Sequence, residues 1–244
     1  MLFFKKNGIL AIYNLLEILS NIKKISIAID GPAGSGKSTT AKLVAKELNL
    51  QYIDTGAMYR AVALKIIKSN INPDNEKAVS ELIKTIKINF ETENDLLKVI
   101  LDGEDVTETI RTSEVTNLSS QISTVQTVRE ILVDMQKKLG KGGGVIMEGR
   151  DIGTVVLPTA EIKIFLVASL QERTKRRHLE LQKKGIEKDF YELEKEILAR
   201  DVRDSSRSNS PLKKADDAIE LDTTSLSIEE QVAEIVSIAK SITK

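Results

Sequence analysis

"IDGPAGSGKSTTAK", at residues 29–42, contains a glycine-rich pattern of the form G-x-x-x-x-G-K-[ST]. In this pattern the glycines let backbone N–H groups turn inward around phosphate oxygens. A β-branched apolar run at 24–30 precedes the pattern, and a sequence with helical spacing follows it. Strand, loop and helix in this order place a phosphate at a helix N-terminus. The fixed residues of the pattern are Gly31, Gly36, Lys37 and Ser38.

The loop is therefore expected to hold the phosphates of ATP. Lys37 would place a positive charge beside them, and the Ser38 hydroxyl can ligate the Mg²⁺ that accompanies ATP. The expected ATP-binding residues are Gly31, Pro32, Ala33, Gly34, Ser35, Gly36, Lys37, Ser38 and Thr39.

Four further apolar runs have the character of buried strands. They lie at 51–55, 144–149, 162–168 and 217–223, each bounded by Gly, Ser, Thr or acidic residues. Together with 24–30 they are separated by helical sequence, which predicts a parallel sheet covered by helices on both faces. We predict an α/β chain with a three-layer P-loop NTPase fold and a five-stranded parallel sheet.

The stretch 86–110 does not follow this alternation of strand and helix. It has alternating segments on both sides of "ENDL" (93–96) and a second turn at Asp102 and Gly103. This pattern predicts an antiparallel hairpin or a small three-stranded sheet. An inserted antiparallel β lobe is the simplest interpretation.

The two ends of the chain differ in character. Residues 1–24 are partly apolar but are interrupted by Asn14 and Glu17, so they are too short to span a bilayer as a continuous apolar run. We interpret them as an N-terminal extension of unknown role. Near the other end, Ser227 and Glu230 have the spacing of a capping box, which predicts a closing amphipathic helix.

The composition narrows the classes of function. Lysine plus arginine number 36 and aspartate plus glutamate number 36, so the chain has no overall basic character for nucleic acid or membrane. There are no cysteines and one histidine, His178. These counts exclude disulfides and Cys-ligated zinc, and make a Ser-His-Asp triad improbable. We expect a cytoplasmic monomer that binds neither nucleic acid nor membranes.

Arginine is concentrated in one segment. Six of the ten arginines fall between 173 and 207, where the chain is charged and helical with a break near Gly185. Arginine matches phosphate oxygens in a bidentate way, whereas most cations of this chain are lysines. Helical spacing puts two sets of charged residues on one face each. The sets are Arg173, Arg176 and Arg177, then Arg200, Arg203, Asp204 and Arg207. Each set is either a solvated face or part of a helical lid that closes over phosphates.

Several segments occur in the order typical of one enzyme family. They include "YIDTGAMYRA" (52–61), "EGRDIGTVVLP" (148–158), "ERTKRRHLEL" (172–181) and "ARDVRDSSRSNSPL" (199–212). From about Lys24 to the C-terminus the chain resembles the bacterial-type cytidylate kinases, in the nucleoside monophosphate kinase group of P-loop kinases. The resemblance implies in-line transfer of the γ-phosphoryl group of ATP to CMP or dCMP in a closed, Mg²⁺-dependent site.

The resemblance also implies an acceptor site. Two arginines would hold the phosphate of the acceptor, a Ser-Arg-Asp set its cytosine and an Arg-Asp pair its sugar. These are, in that order, Arg60 and Arg150; Ser120, Arg129 and Asp151; and Arg200 with Asp204. Asp54, Thr55 and Arg207 complete the expected CMP-binding set. Cytosine offers an amino donor and two acceptors, which a carboxylate, a hydroxyl and a guanidinium complement.

The expected catalytic residues neutralise charge that develops on the transferred group. They are Lys37, Arg173, Arg176 and Arg177. Glu148 ends the apolar run at 144–149, and two interpretations stay open for it. It either binds Mg²⁺ through a water molecule or caps the turn that follows.

The chain is expected to form one kinase unit with four parts. Residues 1–24 are the extension, 25–56, 121–172 and 208–244 the P-loop core, 57–120 the monophosphate-binding insert, and 173–207 the lid.

Two other functions are compatible with the phosphate loop. A kinase for UMP or AMP would use the same loop and lid, but the pair Asp151 and Arg129 favours cytosine. A P-loop ATPase or regulatory module would lack an acceptor site, which the second arginine set argues against. GTPase and transport-ATPase signatures (N-K-x-D, D-x-x-G, L-S-G-G-Q) do not occur.

Overall fold

The computed structural model of the protein describes residues 25–93 and 96–242. The N-terminal extension, residues 1–24, lies outside the described residues, and so does the middle of the turn expected at "ENDL", residues 94 and 95.

Strands and helices alternate along most of the chain. The strands are β1 (Ser26–Asp30), β2 (Gln51–Asp54), β3 (Ile88–Glu93), β4 (Leu96–Leu101), β5 (Glu104–Asp105), β6 (Val145–Gly149), β7 (Ile162–Val167) and β8 (Ile219–Asp222). The helices are α1 (Lys37–Glu47), α2 (Thr55–Lys68), α3 (Glu76–Ile83), α4 (Ser113–Ile122), α5 (Gln126–Gly140), α6 (Leu170–Lys183), α7 (Phe190–Ser206) and α8 (Ile228–Ile242). A 3₁₀ turn spans Thr109–Arg111, and a π-helical turn spans Ile152–Val156.

The larger sheet is parallel and has five strands in the order β2-β6-β1-β7-β8. These are the five predicted runs, and the predicted fold class is confirmed. The central strand β1 pairs with β6 on one side and with β7 on the other, so that Asp30 lies beside both Gly149 and Phe165. The carboxyl ends of β1, β2 and β6 therefore meet at one edge of the sheet.

Successive side chains of β1 point to opposite faces of the sheet, which explains why helices cover both faces and the fold has three layers. Ile27 and Ile29 lie in a buried cluster with residues of α1 and α8. Ala28 faces the other way, into a cluster with Met147 of β6 and Ile152 of the π-helical turn. Strands whose residues are apolar on both faces must be covered on both, and this sheet is.

The smaller sheet is antiparallel, with the order β3-β4-β5, so the three-stranded alternative for 86–110 is the one found. It shares a core with α2, α3, α4 and α5, in which Met58, Val99, Ile110 and Leu132 are buried. The helical sequence after it is two helices, since the chain turns at 123–125 between α4 and α5.

Side-chain caps fix the starts of several helices. Asp54 accepts a hydrogen bond from Ala57 N at the start of α2, and Asp189 accepts one from Glu192 N at the start of α7. Ser227 and Glu230 form the predicted capping box of α8, with distances of 2.8 and 3.2 Å. Such caps satisfy backbone donors that the helix itself leaves free.

The charged segment at 170–207 is a pair of helices, α6 and α7, separated near Gly185 as predicted. Leu181, Leu193 and Ile197 form a small buried cluster between them, supported by Leu170. Among residues 25–93 and 96–242, none of the helices has the length and apolar content needed to cross a membrane.

Candidate active site

The phosphate loop leaves β1 at a position that only glycine can occupy. Gly31 has φ +147°, and a Cβ atom there would lie 2.1 Å from the carbonyl oxygen of Leu166. Gly36 ends the loop with φ +93° just before α1 begins at Lys37. The first backbone donors of α1 therefore face the loop, which is the arrangement that binds phosphate.

Lys37 is buried inside this loop. Its Nζ donates hydrogen bonds to the Pro32 carbonyl oxygen at 2.6 Å and to Ser35 Oγ at 3.2 Å. Burial lowers the pKa of Lys37 well below its usual value, and Arg150 adds to the effect. The ammonium group is thus held in the loop at a desolvation cost that an anion beside it would reduce.

Glu148 lies at the end of β6 and receives two hydroxyl donors. The Ser38 hydroxyl hydrogen-bonds to its carboxylate, and the Tyr52 hydroxyl donates to Oε1 at 2.5 Å. Burial raises the pKa of Glu148, and the nearby Asp54 raises it further. The backbone donors Ile152 N and Gly153 N of the turn after β6 hydrogen-bond to Asp30, so these two are not capped by Glu148.

Ser38 and Glu148 have the chemistry of a magnesium site. Mg²⁺ prefers hard oxygen ligands, and beside a nucleotide it needs only one or two from the protein, because phosphates and water supply the rest. Within the described ranges, no group of three or more His, Cys, Asp and Glu side chains could hold a metal ion by itself. The residues at the loop fit a metal that arrives with ATP.

Guanidinium groups gather beside the loop at the carboxyl edge of the sheet. Arg60 pairs with Asp54 at 2.7 Å, and Arg150 Nε pairs with Asp204 Oδ2 at 2.8 Å. Arg200 is half-buried near them, and its buried Nε has no hydrogen-bond partner in the part of the chain that the structure describes. Burial lowers the pKa of Arg200 to about 10, and repulsion from Arg150 and Arg60 contributes. This excess of buried positive charge favours an anion at the same place.

Two of the three predicted base-reading residues, Arg129 and Asp151, pair next to this cluster. Arg129, from α5, forms a buried salt bridge with Asp151, and its guanidinium lies 5.6 Å from the ring centroid of Tyr59. Arg207 Nη2 is 3.7 Å from Asp151 Oδ1. Ser120, on α4, accepts a hydrogen bond from Arg203 Nε at 3.3 Å. Residues from four distant segments of sequence therefore line one place.

The three predicted lid arginines have different partners. Arg173 pairs with Asp201 and donates to the Ala33 carbonyl oxygen at 3.0 Å. Arg176 donates to Thr223 Oγ1 at 3.1 Å and to the Thr223 carbonyl oxygen at 2.5 Å. Arg177 pairs with Glu180 on its own helix. All three residues belong to α6. Arg173 contacts the phosphate loop, and Arg176 contacts Thr223, directly after β8.

Two residues that sequence reasoning missed also belong to the site. Asp201, on α7, bonds to Arg173 and accepts from Ala33 N at 3.3 Å, so it connects the helix pair to the phosphate loop. Asp30 accepts hydrogen bonds from Ile152 N and Gly153 N. The signal for Asp30 was an acidic residue at the end of an otherwise apolar strand, a position where polar side chains serve the sheet edge.

Comparison with known proteins identifies the family. The sequence model of the cytidylate kinase family matches residues 27–241. The cytidylate kinases of Bacillus cereus (strain ATCC 10987 / NRS 248) and Bacillus thuringiensis (strain Al Hakam) are each 53% identical to it over 220 residues, which is 90% of this chain and 98% of each relative. A shikimate kinase structure from Bacteroides thetaiotaomicron is a looser match, with a TM-score of 0.45 and 14% identity over 88% of this chain and 98% of that one. On the family match and the identity to these relatives, the chain belongs to the cytidylate kinase family.

Proposed function

We propose that the protein transfers the γ-phosphoryl group of ATP to CMP or dCMP, giving CDP or dCDP and ADP. The observation that carries this proposal is the buried pair Arg129 and Asp151 beside the cluster of Arg60, Arg150 and Arg200. The Arg129–Asp151 pair can hydrogen-bond to the polar edge of cytosine, and the arginine cluster can bind a phosphate. Their position at the sheet edge next to the phosphate loop puts donor and acceptor within one site.

The donor would bind in the loop from Gly31 to Thr39. Lys37 would exchange its hydrogen bonds to Pro32 and Ser35 for bonds to phosphate oxygens. When bound with ATP, Mg²⁺ supplies charge neutralisation between the phosphates, and Ser38 and Glu148 would hold it, Glu148 through a water molecule. Tyr52 keeps the Glu148 carboxylate directed toward that position.

The acceptor phosphate would be held by Arg60 and Arg150, with Arg200 nearby. Asp54 and Asp204 orient two of these guanidiniums by ion pairs, which leaves their other N–H groups for the ligand. Asp204 and Arg200 would then contact the sugar, Thr55 would line the phosphate side, and Arg207 would complete the wall next to Asp151. In this proposal the insert at 57–120 helps to bind the acceptor next to the P-loop core.

Cytosine would be read by Asp151, Ser120 and Arg129. The N4 amino group of cytosine donates hydrogen bonds, which the Asp151 carboxylate accepts, while N3 and O2 accept from a guanidinium. Uracil would place its O4 acceptor against the carboxylate. A buried mismatch of this kind rejects an analogue strongly.

The helix pair α6 and α7 would act as the lid over 173–207. Asp201 of α7 accepts a hydrogen bond from Ala33 N in the phosphate loop and pairs with Arg173 of α6. Closure of the helix pair would therefore act directly on the ATP site. Arg173, Arg176 and Arg177 would neutralise charge that develops during in-line transfer, and the closed lid would exclude water that could otherwise accept the phosphoryl group. We also propose that the protein acts as a monomer in the cytoplasm.

A coupled ADP-release assay tests the proposal. The purified protein is given ATP and Mg²⁺ with CMP, dCMP, UMP, AMP or dTMP in separate reactions, and ATP hydrolysis without an acceptor is the blank. We expect turnover with CMP and dCMP well above the blank. Turnover with AMP or UMP and none with CMP would overturn the assignment, and equal rates with and without acceptors would indicate an ATPase.

A further inference from the structure

We propose that Asp30 is a positioning residue that frees Asp151 for base recognition and fixes it relative to the phosphate loop. The inference rests on the proposed function, in which Asp151 reads cytosine. Asp30 does not touch either substrate in this proposal. It acts through the turn that follows Asp151.

Asp30 is the last residue of β1 and caps a turn more than a hundred residues away. Its Oδ1 accepts a hydrogen bond from Ile152 N at 2.8 Å, and its Oδ2 accepts one from Gly153 N at 2.7 Å. The carboxylate is 4% exposed. Both of its oxygens are therefore committed to the first two backbone donors of the π-helical turn at Ile152–Val156.

Asp151 itself stands at the N-cap position of that turn. An aspartate at this position ordinarily uses its own carboxylate to accept from the free N–H groups of the turn. Here the Asp151 side chain makes no such cap bond within the described part of the chain. Since Asp30 satisfies those donors from the neighbouring strand, the Asp151 carboxylate is left to face Arg129 and Arg207.

The turn is held firmly against Asp30. A Cβ atom at Gly153 would lie 3.4 Å from Asp30 Oδ2 and 3.3 Å from Lys163 Cδ, so the backbone passes closely between these two side chains. Lys163 is anchored in turn by the Pro158 carbonyl oxygen at 2.6 Å and by Asp217. A displacement of Asp30 would therefore move the turn and with it Asp151.

The position of Asp30 in the chain connects the two substrate sites. The next residue, Gly31, opens the phosphate loop, and Asp30 lies in the central strand beside Gly149, two residues before Asp151. The backbone of Asp30 thus leads into the donor loop, while its side chain places the turn that carries the base-reading carboxylate. The cap makes Asp30 a determinant of cytosine specificity at a distance from the base.

The test is the isosteric substitution Asp30→Asn, which keeps one acceptor but presents an amide to the second backbone N–H. We expect KM for CMP to rise about 10-fold or more, as for a lost hydrogen bond to a charged group. We expect KM for ATP to stay within about 2-fold, and the preference for CMP over UMP in kcat/KM to fall about 10-fold, because Asp151 turns toward the free donor. Asn75→Ala, which removes the side-chain cap of α3 at a residue given no substrate contact in the proposal, is the control for a general loss of stability.

One further variant, at Gly153, keeps the inference testable if Asp30→Asn folds poorly, and a double variant tests whether Asp30 acts through Asp151. Gly153→Val adds two methyl groups beyond a Cβ that already lies 3.3 Å from Lys163 Cδ and 3.4 Å from Asp30 Oδ2, so it should displace the same turn and give the same selective rise in KM for CMP. In the Asp30→Asn, Asp151→Asn double variant, the loss of cytosine preference should be no larger than in Asp151→Asn alone, since both changes act through one carboxylate.

Three results would overturn the inference. They are an unchanged CMP preference in folded Asp30→Asn, an equal loss of ATP and CMP binding, and additive effects in the double variant. Failure of the proposed function is a separate result, because it would be seen as absence of CMP turnover in the unmodified protein.

Discussion

The Arg129 guanidinium and the Asp151 carboxylate form a salt bridge in which the two residues are 1% and 5% exposed. Arg129 comes from the first turn of α5, and Asp151 lies two residues after the end of β6 at Gly149. Arg207, directly after α7, approaches the same carboxylate. Because each carboxylate oxygen has two lone pairs, the contacts with these guanidiniums leave acceptor capacity on Asp151 for a ligand.

Replacing Asp151 by alanine is expected to remove base recognition and to leave the donor site intact. We expect kcat/KM with CMP to fall by about 10²-fold or more, since the cytosine amino group loses its buried acceptor. ATP affinity, measured by isothermal titration calorimetry, should stay near that of the unmodified protein. Unchanged CMP kinetics would remove Asp151 from base recognition.

The same pair predicts an asymmetry in stability. Arg129→Met leaves the Asp151 carboxylate buried without its nearest partner and should lower the free energy of unfolding by about 3 kcal/mol. Replacing both residues, as Arg129→Met with Asp151→Leu, should cost less than that, because the buried carboxylate is removed together with its nearest partner and Arg207 keeps Asp204 at 3.8 Å. Urea unfolding of the variants measures both values. A double variant less stable than Arg129→Met would contradict the expectation.

Lys37→Met should separate stability from activity. The pKa of Lys37 is lowered by burial, so the charged amine is held at a cost in the free protein. We expect the variant to be at least as stable at neutral pH, while kcat falls by about 10²–10³-fold because charge on the phosphates is no longer neutralised. Thermal unfolding and the coupled assay test this. A large loss of stability would show that the lysine mainly supports the loop.

Gly31→Ala should disrupt the phosphate loop. Its Cβ would lie 2.1 Å from the Leu166 carbonyl oxygen, so strand ends must separate, and we expect a loss of at least about 3 kcal/mol in unfolding free energy. Gly103→Ala is a matched control, because Gly103 also has positive φ, at +90°, but its Cβ would meet nothing within 4 Å. That change should cost only about 1 kcal/mol. Equal losses in the two variants would contradict the steric explanation.

Asp30 predicts a pH dependence of stability. Burial raises its pKa from 3.8 to about 6, with a contribution from Asp151, while its two backbone hydrogen bonds and Lys37 oppose the rise. A carboxyl whose pKa is higher in the folded protein binds protons more tightly there, so its contribution to stability is full below about pH 4 and is lost as pH rises through 6.

The variant Asp30→Asn cannot titrate at this position. The unfolding free energy of the unmodified protein minus that of Asp30→Asn should therefore fall by about 2 kcal/mol between pH 4.5 and pH 7.5. Urea unfolding of both proteins at the two pH values gives this difference. A difference that is constant or grows with pH would show that the pKa of Asp30 is not raised in the folded protein.

Local sequence patterns predicted the architecture well. The five strands are runs of β-branched and apolar residues, and such runs are stable only when both faces of a sheet are covered. The phosphate loop is readable because its glycines are required by backbone geometry at Gly31 and Gly36. The capping box of Ser227 and Glu230 is likewise a contact between near neighbours. These features depend on residues a few positions apart, so the sequence contains them directly.

The partners of the charged side chains were decided only by the tertiary structure. Helical spacing puts Arg173, Arg176 and Arg177 near one face of a helix, but it does not say that they pair with Asp201, Thr223 and Glu180. With equal numbers of acids and bases along the chain, many ion pairs are compatible with the same local pattern. The fold selects among them by bringing distant segments to one sheet edge, where burial makes a mismatched charge costly. The cap that Asp30 provides to the turn after Asp151 has the same origin, since it joins residues that only the pairing of β1 with β6 places side by side.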